Sequence, residues 1–277
     1  MVRLSHLSPR RRVFAIGLVA LLAVAATAVA VGAVSASGGS GQDRPAAGTG
    51  AAGFPPQGRP GPVLLVPGYG GSTGSLSVLA ARIRATGRQA SVVRLPGDGT
   101  GSLLTDAGVL DAAVTRALRG GAPSVDVIGY SAGGVVTLLW ARQDGGARKA
   151  RRVVTLGSPF HGAAIAAAGA AFDPGACPVA CQQLVPGSSL LRRLGGPGAP
   201  RGPRWLSLWT TGDQTVTPAD SARLAGAVNV PIQSICPAQR ISHSQLPVSP
   251  VVTAMVLHAI GPAPPQPPAA ADCAARP

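Results

Sequence analysis

Glutamate is absent from this sequence, and lysine occurs once, at Lys149. Any carboxylate chemistry must therefore run through the ten aspartates. Aromatic residues make up only 3 %, which leaves few platforms on which nucleobases could stack. Charged residues reach 12 %, about half the usual share. No internal repeat is present. The four cysteines include no CxxC pair with histidines close by, so a zinc site is not expected. No metal and no cofactor is expected.

What is present points to a folded, loop-rich chain. Of 277 residues 46 % are apolar, enough for one domain of good size and too many for wholesale disorder. Thirty-eight glycines and 27 prolines mark frequent turns. The formal charge of +14 invites a nucleic-acid reading. That reading fails because the arginines are scattered, with short clusters only at Arg148–Arg152 and Arg192–Arg204, and no nucleic-acid motif accompanies them. A solvated basic surface is expected, with transient contact to a lipid or anionic surface left open.

Residues 1–36 have the order of a secretory signal. Arg3, Arg10, Arg11 and Arg12 precede an uncharged apolar run from Val13 to Val34, and Val34-Ser35-Ala36 offers small residues at a cleavage point. Arg11-Arg12-Val13-Phe14 resembles a twin-arginine export signal. An uncleaved membrane anchor is the alternative, since the run is long enough to span a bilayer. A secreted, extracellular protein is expected. Four cysteines in such a compartment suggest two disulfides, with three pairings open. Proximity favours Cys177–Cys181, which leaves Cys236–Cys273.

Residues 37–62 read as a Gly/Pro-rich linker and residues 261–277 as a Pro-rich tail. Between them, residues 63–260 alternate short apolar strands with helical stretches. Strands are expected at Val63–Val66, Ser91–Leu95, Ser124–Ile128, Arg152–Leu156, Trp205–Thr210 and Ile232–Ile235. Helices are expected at Ser75–Thr86, Leu104–Arg119, Gly133–Arg142, Ala219–Ala225 and Ser249–Ile260. The alternation implies an α/β fold: a mostly parallel sheet of about six strands with helices on both faces. Ligands in such folds bind at the carboxyl ends of the strands.

The motifs fall at those ends. Gly129-Tyr130-Ser131-Ala132-Gly133 is a GxSxG sequence between a strand and a helix. That context puts Ser131 on a sharp turn with its hydroxyl projecting, while the flanking glycines leave room for nearby backbone. A serine nucleophile needs a base. His6 is in the leader, His258 is on the last helix, and His161 follows a strand end. His243 lies in the loop between the last strand and the last helix and is the expected base. The base needs a carboxylate to hold its tautomer. Asp213, just past the strand Trp205–Thr210, is the expected one. Asp220 is its rival, but it opens a helix as a first-turn acid; Asp126 lies inside a strand before the serine, and Asp98 and Asp173 lie in loops away from strand ends. The Pro67-Gly68-Tyr69-Gly70-Gly71 turn could aim the Tyr69 N–H at an oxyanion, together with the N–H of Ala132.

Together, the runs Val63–Gly71, Val125–Gly134, Gly157–Gly162, Gly212-Asp213 and Ser242-His243 resemble the α/β-hydrolase superfamily over about residues 60–260. More narrowly they resemble the small secreted lipases and esterases of actinobacteria. Pro67 departs from the pattern, since many members carry a histidine there. The resemblance implies a minimal α/β-hydrolase fold and a serine carboxylic-ester hydrolase working through an acyl-enzyme. An acyltransferase or amidase on the same triad, or a non-catalytic binding protein of this fold, are the alternatives. Phe160 and His161 are expected on the substrate side. The apolar stretch Gly162–Phe172 could wall the cleft or pack in the core. The expected partner is a small-molecule or lipid ester, and the chain is expected to act as a monomer.

Overall fold

The computed structural model describes residues 53–194 and 198–275. Residues 1–36, expected as a signal segment, and residues 37–52 lie outside the described residues. No helix among those described is long and apolar enough to cross a membrane.

Six strands form one sheet: β1 (Val63–Val66), β2 (Ala90–Val92), β3 (Val125–Tyr130), β4 (Ala150–Leu156), β5 (Arg204–Trp209) and β6 (Val228–Pro231). Their order is β2-β1-β3-β4-β5-β6, and every neighbouring pair is parallel. Fully buried strands need helices on both faces, and period-2 alternation assigns the side chains. Leu64, Val66, Val127 and Val153 face α2 (Leu103–Arg119) and α3 (Ala132–Gln143), whereas Val63, Leu65, Ile128 and Val154 face α1 (Gly74–Ala85) and α8 (Pro250–Ile260). The order reverses direction between β1 and β3. Such a switch point opens a crevice outside the carboxyl ends of those two strands.

Four shorter helices complete the fold: α4 (Ala164–Phe172), α5 (Val179–Gln183), α6 (Ser189–Leu194) and α7 (Ile232–Ile235). The last corrects an expectation. Ile232–Ile235 is one helical turn rather than a strand, and β6 precedes it. Val228 and Val230 recur at spacing two, as a strand requires, and Ile232 and Ile235 at spacing three, as a helix requires. The expected helix at Ala219–Ala225 is a 3-10 turn, Ala219–Ala222, with Asp220 exposed. The stretch Gly162–Phe172 lies mostly outside the core. In α4 only Ala166 is buried, while Ile165 is 63 % exposed and Phe172 90 %.

Both disulfides are formed, Cys177–Cys181 and Cys236–Cys273, and no described cysteine is free. The second ties α7 to the C-terminal segment across a separation of 37 residues.

Candidate active site

β3 runs directly into α3 through Ser131, whose backbone sits at φ 53°. It is the only non-glycine residue with positive φ among those described. A serine pays for that region, so the surroundings must hold it there. They do so with backbone: Ser131 N–H donates to the Leu156 carbonyl at 2.8 Å, and the Ser131 carbonyl accepts from Gly134 N–H at 3.0 Å. The side chain does not cap α3, so the hydroxyl is not spent on the helix's own amides.

The glycines of the motif are there for close approach. A Cβ on Gly129 would stand 2.5 Å from Gly134 Cα, and one on Gly133 would stand 2.2 Å from the Val66 carbonyl oxygen. The turn after β1 therefore lies directly on the start of α3. A Cβ on Gly68 would meet Ser131 Cβ at 2.8 Å and Oγ at 3.4 Å. Neither Tyr69 N–H nor Ala132 N–H has a backbone partner among the described residues. The Ala132 amide is also one of the unpaired donors at a helix N-terminus, where the dipole favours negative charge.

Asp213 and His243 come together although 30 residues separate them. His243 Nδ1 lies 2.6 Å from Asp213 Oδ2, and both residues are buried. A carboxylate only accepts, so Nδ1 carries a proton, and in the neutral imidazole Nε2 keeps its lone pair. The other carboxylate oxygen, Oδ1, accepts from Thr215 N–H at 2.9 Å and Val216 N–H at 2.8 Å. Thr210 Oγ1 donates to the Ile241 carbonyl at 2.6 Å, which ties the end of β5 to the loop that carries the histidine. Ser131 Oγ and His243 make no hydrogen bond with each other. In such sites that contact often forms only with substrate bound.

Two neighbours of His243 carried no readable signal in the sequence beyond lying in the motifs. Tyr130 packs its ring on the imidazole, with centroids 5.2 Å apart, and its hydroxyl donates to the His243 carbonyl at 3.3 Å. Burial, with the negative Asp213 adding to it, pushes the Tyr130 phenol up to about 12, so it stays a donor. Gly157 has φ 57°, and a Cβ there would stand 3.1 Å from His243 Nδ1. Phe160 and His161, expected on the substrate side, lie just past the carboxyl end of β4. Phe160 is 4 % exposed and packs in the core, and His161 Nε2 lies 3.0 Å from the Arg223 carbonyl. His258, on α8, has Nδ1 3.6 Å from Asp272 Oδ2 in the C-terminal segment. No group of three or more His, Cys, Asp or Glu among the described residues could hold a metal ion.

No family model matches the sequence, and no curated protein does. Solved structures do match in shape. Lipase B of Aspergillus fumigatus superposes with a TM-score of 0.62 at 18 % identity, over 78 % of this chain and 57 % of that one. The mature lipase BlEst2 of Bacillus licheniformis gives 0.51 at 17 % identity, over 64 % of this chain and 84 % of that one. MGS-MChE2, an α/β-hydrolase enzyme from a sediment metagenome of the lagoon of Mar Chica, gives 0.50 at 16 % identity, over 72 % and 89 %. This chain thus spans little more than half the length of the Aspergillus lipase. The likeness establishes the fold, which is that of the α/β hydrolases.

Proposed function

We propose that this α/β-hydrolase-fold chain is a serine carboxylic-ester hydrolase, a lipase or esterase, with Ser131 as nucleophile, His243 as base and Asp213 as its orienting acid. The observation that carries the proposal is the coincidence of a strained Ser131 on the β3–α3 turn with a buried Asp213–His243 pair whose Nε2 stays free. Ser131 Oγ would attack the ester carbonyl while His243 Nε2 takes its proton. Tyr69 N–H and Ala132 N–H would receive the developing oxyanion. His243 would return the proton to the departing alcohol, and water would then release the acid by the same steps in reverse. Residues 1–36 would export the chain, consistent with the two disulfides.

The apolar side of an ester has a place to lie. α4 follows β4 at the carboxyl end of the sheet, carries no charge, and is held to the Asp213 loop by Ala164 N–H donating to the Thr217 carbonyl at 2.9 Å. The printed names of two of the superposed proteins, both lipases, lean the same way. The test is a series of p-nitrophenyl esters differing only in acyl length, assayed with and without an added alcohol acceptor. Hydrolysis dependent on Ser131 supports the proposal. Transfer to the alcohol in preference to water would move the chain to the acyltransferases, and no turnover of any ester would refute it.

A further inference from the structure

The amino ends of β4, β5 and β6 border an open groove of about 1500 Å³. Five arginines line it, Arg142, Arg148, Arg152, Arg201 and Arg204, and no aspartate does. None of the five belongs to an ion pair among the described residues. Ser131 stands at the other end of β3, a strand of six residues, so roughly 20 Å of sheet separates the two places.

Adjacent residues of β4 show what is unusual here. Arg151 is fully buried and fully answered: Nε donates to Asp126 Oδ1 at 3.0 Å, Nη2 to Oδ2 at 2.5 Å, and Nη1 to the carbonyls of Gln57 and Gly261. Arg152, 1 % exposed, has only neutral partners, Gln57 Oε1 at 2.8 Å and the Ala263 carbonyl at 3.1 Å, and its Nε–H has none. Four buried polar side-chain atoms lack a partner among the described residues. Two of them, Arg152 Nε and Trp205 Nε1, belong to residues lining this groove, and both are N–H donors. Burial and the charge of Arg151 push the Arg152 guanidinium below its ordinary value; Asp126 opposes them and Arg204 adds to them. A buried cation with no carboxylate in contact, and buried donors without acceptors, are both costly and uncommon.

The register supplies the geometry. Arg152 and Arg204 are partners across the parallel β4–β5 pair, so both side chains leave the same face of the sheet one strand spacing apart. Two guanidiniums side by side offer forks of N–H groups matched to a tetrahedral oxyanion. We propose that this groove is a phosphate-binding site, in which Arg152 and Arg204 hold the oxyanion and the exposed Arg148 and Arg201 draw the anion in. The ligand brings the negative charge that the groove lacks. The site is independent of the reading of Ser131.

The test titrates the purified protein with inorganic phosphate at constant ionic strength set by sodium chloride, followed by calorimetry and tryptophan fluorescence. A second arm measures co-sedimentation with phosphatidylglycerol vesicles against phosphatidylcholine vesicles. The variant is the triple Arg148→Gln, Arg201→Gln, Arg204→Gln, chosen because these side chains are exposed and their loss leaves the core intact. Saturable phosphate binding, weakened at least about tenfold in the triple variant with ester turnover unchanged, supports the site and assigns it to free phosphate or a soluble phosphate ester. Binding confined to phosphatidylglycerol vesicles and lost in the variant supports it as a headgroup site. No phosphate-specific binding in either arm, or equal binding by the triple variant, overturns it.

Discussion

The carboxyl and amino ends of the sheet use buried aspartate in opposite ways. At the amino end Asp126 is held by two guanidiniums, Arg88 at 2.8 Å and Arg151 at 2.5 Å. Its charge is answered twice, by guanidiniums, which donate hydrogen bonds and accept none, so the cluster can only stabilise structure. At the carboxyl end Asp213 meets two backbone amides and one imidazole. The imidazole has a second nitrogen, and that nitrogen is free to move a proton. The difference lies in the partner: a buried carboxylate becomes useful for chemistry when what it holds is itself titratable and still has a face to offer.

Substitutions at the two ends separate these uses. The largest effect is expected for Ser131→Ala, which should lower kcat on a soluble ester by on the order of 10⁶ while circular dichroism and melting stay as they were. Asp213→Asn comes next. The amide cannot hold the imidazole in the working tautomer, so kcat should fall by roughly 10⁴ with the fold kept. The exposed Asp220→Asn is its control and should leave turnover nearly intact. At the amino end the loss should appear in stability instead. Asp126→Asn leaves two buried or half-buried guanidiniums without their carboxylate and should cost about 3–5 kcal/mol in urea unfolding, with kcat per folded molecule unchanged. A large drop in kcat for the folded Asp126 variant would break the comparison.

Asp106 sharpens it from a third side. This aspartate, in the first turn of α2, is 1 % exposed, and among the described residues it has no cation partner and leaves Oδ2 unpartnered. Burial pushes its carboxyl up to about 6. The folded state therefore holds the Asp106 proton more tightly than the unfolded state does, and stability is lost as pH rises from about 4 through about 6. Asp106→Asn should remove that loss, raising stability at pH 7 by up to about 3 kcal/mol and by little at pH 4. Urea unfolding of both proteins at the two pH values measures it. A pH-independent difference would show that the carboxyl titrates normally.

The site was legible in the sequence where backbone sterics constrain residue type. Gly129 and Gly133 must be glycine because backbone stands within 2.7 Å of where their Cβ would be, and strand ends place Ser131 and Asp213. The sheet was legible from alternating apolar runs, except at its edge. There Val228–Ile235 carries a strand spacing followed at once by a helical one, and the later run looked as strand-like as the earlier. α4 was illegible in another way, because an all-apolar composition gives no direction and so does not say whether a helix is inside or out. Tyr130, Gly157 and Thr210 act through contacts with a loop far along the chain, which no local pattern encodes. The unpaired Arg152 and Trp205 donors are likewise a property of the packed molecule.

The central claim is that Ser131 is a nucleophile activated through His243. The most direct measurement is labelling of the purified protein with a fluorophosphonate, followed by peptide mapping, in the parent chain and in His243→Ala. The account predicts a single adduct, on Ser131, formed rapidly in the parent and slowed by at least about a thousandfold in His243→Ala. An adduct on any other residue, or labelling of Ser131 at the same rate without His243, would contradict it.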